Sequence, residues 1–290
     1  MQCEVTSRLD QRNPGAFGAR RAINDPPVLS TISPDPEPEV SSFWLGTRDL
    51  RAKDAIYIFN MAANTPNSPT TTDTFFDFAT LSDKERYKLL ISTIVPRPIA
   101  WVVTLDREGG LNAAPFSFFN AFATDPAVVG IGIGSHDSGR PKDTRHNIRE
   151  TRQFVVNLVS EQMAEAMNIT AITFESGVNE IAEAELNTHP SIHVRPPRIV
   201  GSPVAMECEL MQIVELGAEA ELVLGRVLAM HVREDCVIDP HKAYIDTAKL
   251  NLIGRMHGAY YTRTADLFRM ERISVADWPG LKPTAPPHKR

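Results

Sequence analysis

The sequence has little cysteine, no long apolar run and no excess of positive charge. Its three cysteines, Cys3, Cys208 and Cys236, are too few and too scattered for a disulfide framework or a CxxC metal site. We interpret them as unreactive thiols of a reducing compartment and expect a cytoplasmic protein. No apolar run is long enough to span a bilayer, and the formal net charge is -6. Neither a nucleic acid nor a membrane is therefore expected as a partner.

Several motifs of common enzyme classes are missing. The segment Gly130–Gly134 is rich in glycine, but the last glycine of a GxGxxG pattern is absent, and there is no GxxxxGK[ST] motif. GxSxG and HExxH are absent as well, so hydrolase and zinc-protease chemistry have no motif support. His189 and His193 have a metal-like spacing, but Pro190 breaks helical presentation and no further ligand cluster accompanies them. We expect no metal site.

The two ends of the chain differ in composition from its middle. Residues 26–38 and 66–74 are rich in proline, serine and threonine and hold little apolar surface to bury. We therefore interpret residues 1–74 as a poorly ordered extension, residues 75–275 as the working domain and residues 276–290 as a flexible tail. The segment 1–22 has arginines but no apolar core of a secretory signal, and its acidic residues also disfavour a transit peptide.

The pattern within residues 75–275 predicts many strands and few helices. A capping box at Ser82–Glu85 predicts a helix that Pro96 and Pro98 end, and Ser160 predicts another over 161–171. Extended chain is predicted over 111–123, with an interruption at Pro115. Several strands with few helices favour a barrel or sandwich. The remaining predicted strands are 99–105, 127–133, 154–159, 203–214, 219–232 and one at Tyr260-Tyr261.

The segment Lys142–Ile148 is the strongest local signal of a binding site. Asp143 is predicted as the N-cap of a helix that starts at Thr144. The N-terminus of a helix presents free N–H groups and partial positive charge, which suit a phosphate. Lys142 and Arg145 stand beside it, and the preceding loop, 135–140, adds donors. The alternative is an ordinary capped helix at the surface with solvated basic side chains.

A second signal is the segment Asn112–Asn120, which combines small residues, a proline and phenylalanines. Such a backbone lets a flat ring lie against it, and the amides of Ser117 and Phe118 could bond a polar ring edge. The alternative is a barrel strand whose aromatic side chains belong to the core.

Two further residues carry hypotheses of their own. Arg97 lies between Pro96 and Pro98, which restrict the backbone and aim the guanidinium; otherwise it is a solvent-facing arginine. His257, flanked by a glycine and followed by a strand, could line a cleft, although a structural histidine is the alternative.

Taken together and in order, these pieces resemble the flavin reductase-like, FMN-binding split-barrel family over about residues 80–270. The matching segments are 94–100 with 102–104, 110–118, 125–126, 142–144, 147–148 and 154–157.

The resemblance implies a mainly β fold with added helices, a six-stranded Greek-key split barrel that binds FMN non-covalently as a homodimer. Carried over by position, Lys142 and Thr144 would hold the phosphate, and Arg97 would lie near the flavin. The residues expected at the cofactor are Arg97, Asn112, Ala114, Pro115, Ser117, Phe118, Lys142, Thr144 and Asn147.

The resemblance also implies an NAD(P)H-dependent flavin reductase that passes electrons through FMN to oxygen, a free flavin or a partner such as a monooxygenase. NADH or NADPH would donate a hydride, with His257 as a candidate beside the nicotinamide and no residue needed for acid–base catalysis. One alternative is an electron-transfer flavoprotein, similar to a flavoredoxin, that a protein partner reduces. Another is a barrel that only binds, against which Lys142–Thr144 argues. Residues 1–74 are expected to be dispensable for flavin binding.

Overall fold

The computed structural model describes residues 73–135, 139 and 141–278. The chain divides into two units, Met1–Phe75 and Phe76–Arg290, and the fold below is that of the second. The predicted extension 1–74 and tail 276–290 fall almost entirely outside the described residues, as do Ser138 and Arg140 of the predicted donor loop. The division into extension, domain and tail stays a prediction.

Strands dominate the described chain. They are β1 (Ala100–Leu105), β2 (Leu111–Phe116), β3 (Phe119–Thr124), β4 (Ala127–Gly134), β5 (Gln153–Asn157), β6 (Thr188–His189), β7 (Arg198–Ile199), β8 (Val204–Glu215), β9 (Ala220–Val232), β10 (Val237–Asp239), β11 (Tyr244–Ile245), β12 (Ile253–Arg255) and β13 (Tyr261–Arg263). The helices are α1 (Asp83–Thr93), α2 (Asp143–Thr151), α3 (Ala164–Ile169), α4 (Glu180–Glu183) and α5 (Thr247–Leu250), with short 3-10 turns at Glu161–Met163 and Glu234–Cys236. A mainly β fold with added helices is confirmed.

The main sheet is antiparallel, in the order β2-β1-β5-β8-β9-β4-β3. Its two edge strands, β2 and β3, are consecutive in the chain and are separated only by Ser117 and Phe118. Three residue steps span at most about 11 Å, so the sheet must curl until its edges meet. The Gly132 N–H of β4 donates to the Phe118 carbonyl at 2.7 Å beside this junction. The result is a split barrel, with seven strands in the sheet where the resemblance implied six.

Hydrophobic side chains fill both faces of the barrel wall. All six residues of β1 are buried, because one face lines the barrel and the other is covered by α3 and the segment around α4. Phe154 of β5 lies inside the barrel, and its ring occupies the space beside Gly225, where a Cβ would lie 2.2 Å from Cζ. Trp101 lies on the outer face and its indole N–H donates to Thr170 Oγ1 at 2.9 Å. This packing fixes β1 and β2, the wall on which the candidate site is built.

Local signals predicted most elements correctly, with three corrections. The capping box at Ser82 is present and α1 begins at Asp83. The extended chain breaks at Ser117-Phe118, not at Pro115, because Pro115 lies in an edge strand whose outer side needs no N–H donor. The predicted helix over 161–171 is a 3-10 turn followed by the short α3. Asp143 is not the N-cap of α2, which is Lys142.

Burial explains why the two described cysteines, Cys208 and Cys236, are unreactive. Cys208 lies inside the barrel and Cys236 packs between Val204 and Leu250. Burial raises the pKa of both thiols, so neither is present as a reactive thiolate at neutral pH. Among the described residues, no helix is long and apolar enough to cross a membrane.

Candidate functional site: an elongated cavity along strand β2

A cavity of about 510 Å³ lies along β2, within the size range of sites for small molecules and cofactors. Its walls come from α1, β2, the start of α2, the segment after α3 and the β12–β13 hairpin. The lining residues include Tyr87, Ile91, Arg97, Asn112, Ala114, Pro115, Ser117, Lys142, Asp143, Thr144, Met167, the segment 170–174, Glu180, Arg255, Met256 and Tyr261.

One end of the cavity is polar and is built by β2 and the start of α2. The Asn112 amide N–H donates to Thr144 Oγ1 at 2.9 Å, and both side chains are buried. Because this hydroxyl accepts from Asn112, its own proton is available for an acceptor in the cavity. Lys142 stands two residues before Thr144 and also lines the cavity, and its ammonium lies 5.2 Å from the centre of the Phe116 ring, four positions along β2 from Asn112.

The first turn of α2 adds backbone donors to this end. The first N–H groups of a helix have no partner within it, and the Lys142 side chain, at the N-cap, has no acceptor with which to cap them. Asp143 could have competed for these donors. Its carboxylate instead accepts from Ser176 Oγ at 2.8 Å and from the Gly177 N–H at 3.2 Å, which ties the following loop to the helix. This end of the cavity therefore suits an anion such as a phosphate.

Arg145, the next basic residue of α2, does not line the cavity. Its Nε lies 2.8 Å from Oε2 of Glu221, a fully buried residue of β9. Arg149, one turn later, donates to the same oxygen at 2.5 Å. These two arginines fasten α2 to the β8–β9 hairpin, so the helix is held in place while Thr144 faces the cavity. The expected phosphate contact from Arg145 is replaced by this anchoring role.

Arg97 stands at the other end of the cavity and is 6 % exposed. Its Nη1 donates to the carbonyls of Ile91 and Ile94 at 2.7 and 2.8 Å, and Nη2 donates to the Met256 carbonyl at 2.8 Å. Nε lies 3.4 Å from Ser117 Oγ. Burial lowers the pKa of this guanidinium, which nonetheless stays charged at any physiological pH. Arg97 thus joins the end of α1 to the β12–β13 hairpin and contributes a fixed positive charge.

Glu180 is a buried carboxylate in the wall near the polar end. It begins α4, and its Oε2 accepts from the Ala113 N–H at 3.0 Å. Burial raises the pKa of Glu180, the charge of Asp143 acts in the same direction, and the hydrogen bond from Ala113 opposes both. This geometry lets the carboxyl fasten α4 to the edge of β2 while it contributes a titratable group to the cavity.

Comparison with known proteins agrees with this architecture. The model of the flavin reductase like domain matches residues 92–248. The chain belongs to the flavin reductase-like family. An uncharacterized protein of Deinococcus radiodurans is 40% identical over 210 residues, covering 71% of this chain and 92% of its own.

Two solved structures are similar to this chain in both sequence and fold. The 2-nitrobenzoate 2-nitroreductase of Pseudomonas fluorescens is 34% identical with a TM-score of 0.65, covering 70% of this chain and 98% of its own. Nitrilotriacetate monooxygenase component B from Bacillus cereus is 30% identical with a TM-score of 0.66, covering 69% of this chain and 100% of its own.

Seven of the ten residues that the flavin reductase-like resemblance implied lie together in the cavity wall; they are Arg97, Asn112, Ala114, Pro115, Ser117, Lys142 and Thr144. Three do not. Phe118 lines a neighbouring groove of about 270 Å³. Asn147 is a buried residue of α2, and its amide donates to Thr104 Oγ1 at 3.0 Å. His257 is exposed on the hairpin turn against the Tyr260 ring, 5.1 Å between ring centres, and is absent from the lining.

Sequence reasoning missed other cavity residues of this family member. Tyr87 of α1, the segment 170–174, Glu180 and Arg255 all line the wall. None belongs to a short motif with a chemical meaning, and each reaches the cavity only through tertiary packing. For Arg255 the sequence holds a weak signal, because Arg255 lies two residues before His257, which is predicted to line a cleft.

Proposed function

We propose that this chain is an FMN-dependent oxidoreductase that uses NADH or NADPH as donor and passes electrons to oxygen, a free flavin or a partner enzyme. The observation that carries the proposal is the elongated cavity with an anion-binding end at Lys142 and Thr144. Membership of the flavin reductase-like family gives the reaction class.

The residues of the cavity fit FMN. Asn112 of β2 and Ser117, the residue after β2, are five positions apart, which corresponds to about 17 Å of extended chain. The polar end would take the phosphate through Thr144, Lys142 and the first turn of α2. Ala114 and Pro115 lie between the ends and carry no long side chain, which leaves room for a flat ring against the strand.

Bound FMN would supply the hydride and electron transfer chemistry. The chain's own residues would position it and set the local charge. Arg97 would hold a positive charge at the ring end, because its three backbone-carbonyl contacts prevent it from moving away. Lys142 and Thr144 would hold the other end and so fix the register of the ring along β2. No residue is assigned to acid–base catalysis.

We also propose that the active unit is a homodimer. Apolar side chains are exposed beside the cavity and on β3: Ile94 and Phe118 are 59 % and 47 % exposed, and Phe122 of β3 is 60 % exposed. Ile94 and Phe118 line the same groove beside Arg97. A second copy would cover this surface and shield the ring end from water. Light scattering at micromolar protein should give twice the chain mass. A monomer with full FMN affinity and turnover would refute the dimer.

The proposed reaction is tested by the visible spectrum of the purified protein before and after anaerobic addition of NADH or NADPH. Rapid bleaching of a bound flavin is expected. A bound flavin that stays oxidised would favour an electron carrier reduced by a protein partner. No flavin absorbance after addition of FMN would refute the proposal. Because one similar structure is a monooxygenase component B, a monooxygenase is the partner class to test first.

A further inference from the structure

Arg255 is the second arginine in the wall at the ring end of the cavity. Its backbone forms a two-way bridge with that of Arg97: the Arg97 N–H donates to the Arg255 carbonyl at 3.0 Å, and the Arg255 N–H donates to the Arg97 carbonyl at 2.8 Å. The end of β12 is therefore fixed beside the entrance of β1, and Arg255 has a defined position relative to the cavity.

The side chain of Arg255 is held without an acidic partner. Nη1 donates to the Tyr261 hydroxyl and Nη2 to the Gly258 carbonyl at 2.5 Å, while the guanidinium lies 4.6 Å from the Tyr261 ring centre. These neutral contacts orient the group but leave its charge uncompensated. No carboxylate of the described chain lies within ion-pair distance of it. Arg263 on the adjacent strand differs, because Glu161 binds it at 2.5 Å.

Two positive charges therefore meet at this end. Burial lowers the pKa of Arg97, and the nearby charge of Arg255 acts in the same direction. An arginine has five N–H donors. Three of those of Arg97 bond backbone carbonyls and a fourth faces Ser117 Oγ, whereas two of those of Arg255 are accounted for above. A pair of guanidinium groups in a cavity wall, with one able to donate further, favours an anionic ligand.

We propose that Arg255 binds a phosphate group of the nicotinamide dinucleotide, and so forms a second anion-binding subsite of the cavity. The proposal rests on the proposed function. The phosphate of FMN is not the intended ligand, because Thr144 is bonded to Asn112, whereas Arg255 is bridged to Arg97 beside Ser117, and Asn112 and Ser117 are separated by about 17 Å of extended chain. The dinucleotide brings a pyrophosphate in both donors and an additional 2′-phosphate in NADPH, and the planar fork of arginine matches either group.

The test is equilibrium binding of NAD+, NADP+ and nicotinamide riboside, which has no phosphate, to FMN-loaded wild type, Arg255→Gln and Arg255→Lys. Calorimetry is the readout, with FMN affinity measured in parallel. Arg263→Gln is the matched control, an arginine of the same hairpin whose partner is Glu161. We expect Arg255→Gln to weaken dinucleotide binding about tenfold or more, the range of a charge-assisted hydrogen bond. Arg255→Lys should keep part of the affinity, and Arg263→Gln and FMN affinity should be unchanged.

The pattern of losses identifies the phosphate. A loss for both NAD+ and NADP+ supports the pyrophosphate as the ligand group, and a loss for NADP+ alone supports the 2′-phosphate. An unchanged affinity for both, an equal loss for nicotinamide riboside, or an equal loss of FMN affinity would overturn the proposal, as would a wild type that binds neither dinucleotide. Anaerobic bleaching by NADH or NADPH is scored separately on the wild type, so failure of the proposed function is recognised independently of Arg255.

Discussion

Removing the polar contacts at the start of α2 should weaken FMN binding without weakening riboflavin binding. The perturbation is the double replacement of Lys142 and Thr144 by alanine. Thr144 is 1% exposed and accepts from Asn112 at 2.9 Å, so its hydroxyl has a fixed position from which to donate. Lys142, two residues before Thr144, supplies positive charge to the cavity wall. Riboflavin lacks the phosphate, so its binding affinity should not depend on either side chain.

The expected loss follows from the two contacts. One charge-assisted hydrogen bond and one ordinary hydrogen bond together contribute about 2–4 kcal/mol. At 1.4 kcal/mol for each factor of ten, the dissociation constant for FMN should rise by about 30-fold to 1,000-fold. Loss of the Thr144 hydroxyl also leaves the buried Asn112 amide without this acceptor, which costs about 1–3 kcal/mol of stability.

Fluorescence titration with FMN and with riboflavin measures the effect, and urea unfolding checks that the variant is folded. Thr144→Ser keeps the hydroxyl and should keep most of the affinity. Lys84→Ala, at an exposed position of α1, controls for loss of a positive charge elsewhere. Equal affinity of the wild type for FMN and riboflavin, or an equal loss for both ligands in the double variant, would refute the reasoning.

Three further predictions concern buried groups. The pKa of Glu180 is raised, chiefly by burial, so the stability that Glu180 contributes is present below its unfolded pKa and is lost as pH rises through its folded pKa. The Glu180→Gln variant should therefore be more stable than the wild type at alkaline pH and lose that advantage in acid, as measured by urea unfolding across pH. Burial would raise the pKa of Glu207, but hydrogen bonds from His193, Ile192 and His231 lower it overall, so its contribution is present above the unfolded pKa and is lost as pH falls through the folded value. Glu207→Ala should cost about 1–3 kcal/mol at neutral pH, because the N–H groups of Ile192 and His193 lose their acceptor, against less than about 1 kcal/mol for the surface control Glu209→Ala. Equal losses would contradict this. Gly225→Ala should cost about 1–3 kcal/mol in thermal unfolding because its Cβ would meet the Phe154 ring, whereas Gly134→Ala, with its nearest atom at 4.0 Å, should change little.

Local chemistry explains which parts of the fold were predictable. The capping box at Ser82 and the β-branched run of β1 act between neighbours in the chain, so their effects can be read directly from the sequence. The curling of the sheet depends on which strands pair, and no local pattern encodes the meeting of β2 with β3. Pro115 misled the prediction because its effect depends on edge position, which is a property of the whole sheet.

The residues of the candidate site likewise include some that local sequence predicts and others that only tertiary packing determines. Thr144 and Lys142 reach the cavity because they start a helix, a local property that the sequence predicted. Arg145 follows Thr144 directly in the same helix, yet its side chain pairs with Glu221 of β9 and does not line the cavity. The flanking prolines predicted a fixed direction for the Arg97 side chain, but its direction is determined by the carbonyls of Ile91 and Ile94 near it in the chain and of Met256 far from it. Tertiary packing determines which residues pair with a charged side chain, and a single sequence does not reveal those residues.

The most direct test of the central claim is a crystal structure of the protein with FMN. FMN should lie along β2, with its phosphate at Thr144, Lys142 and the first turn of α2, and with its ring toward Ser117 and Arg97. A flavin bound outside this cavity, or bound in reverse with its phosphate against Arg97 and Arg255, would contradict it.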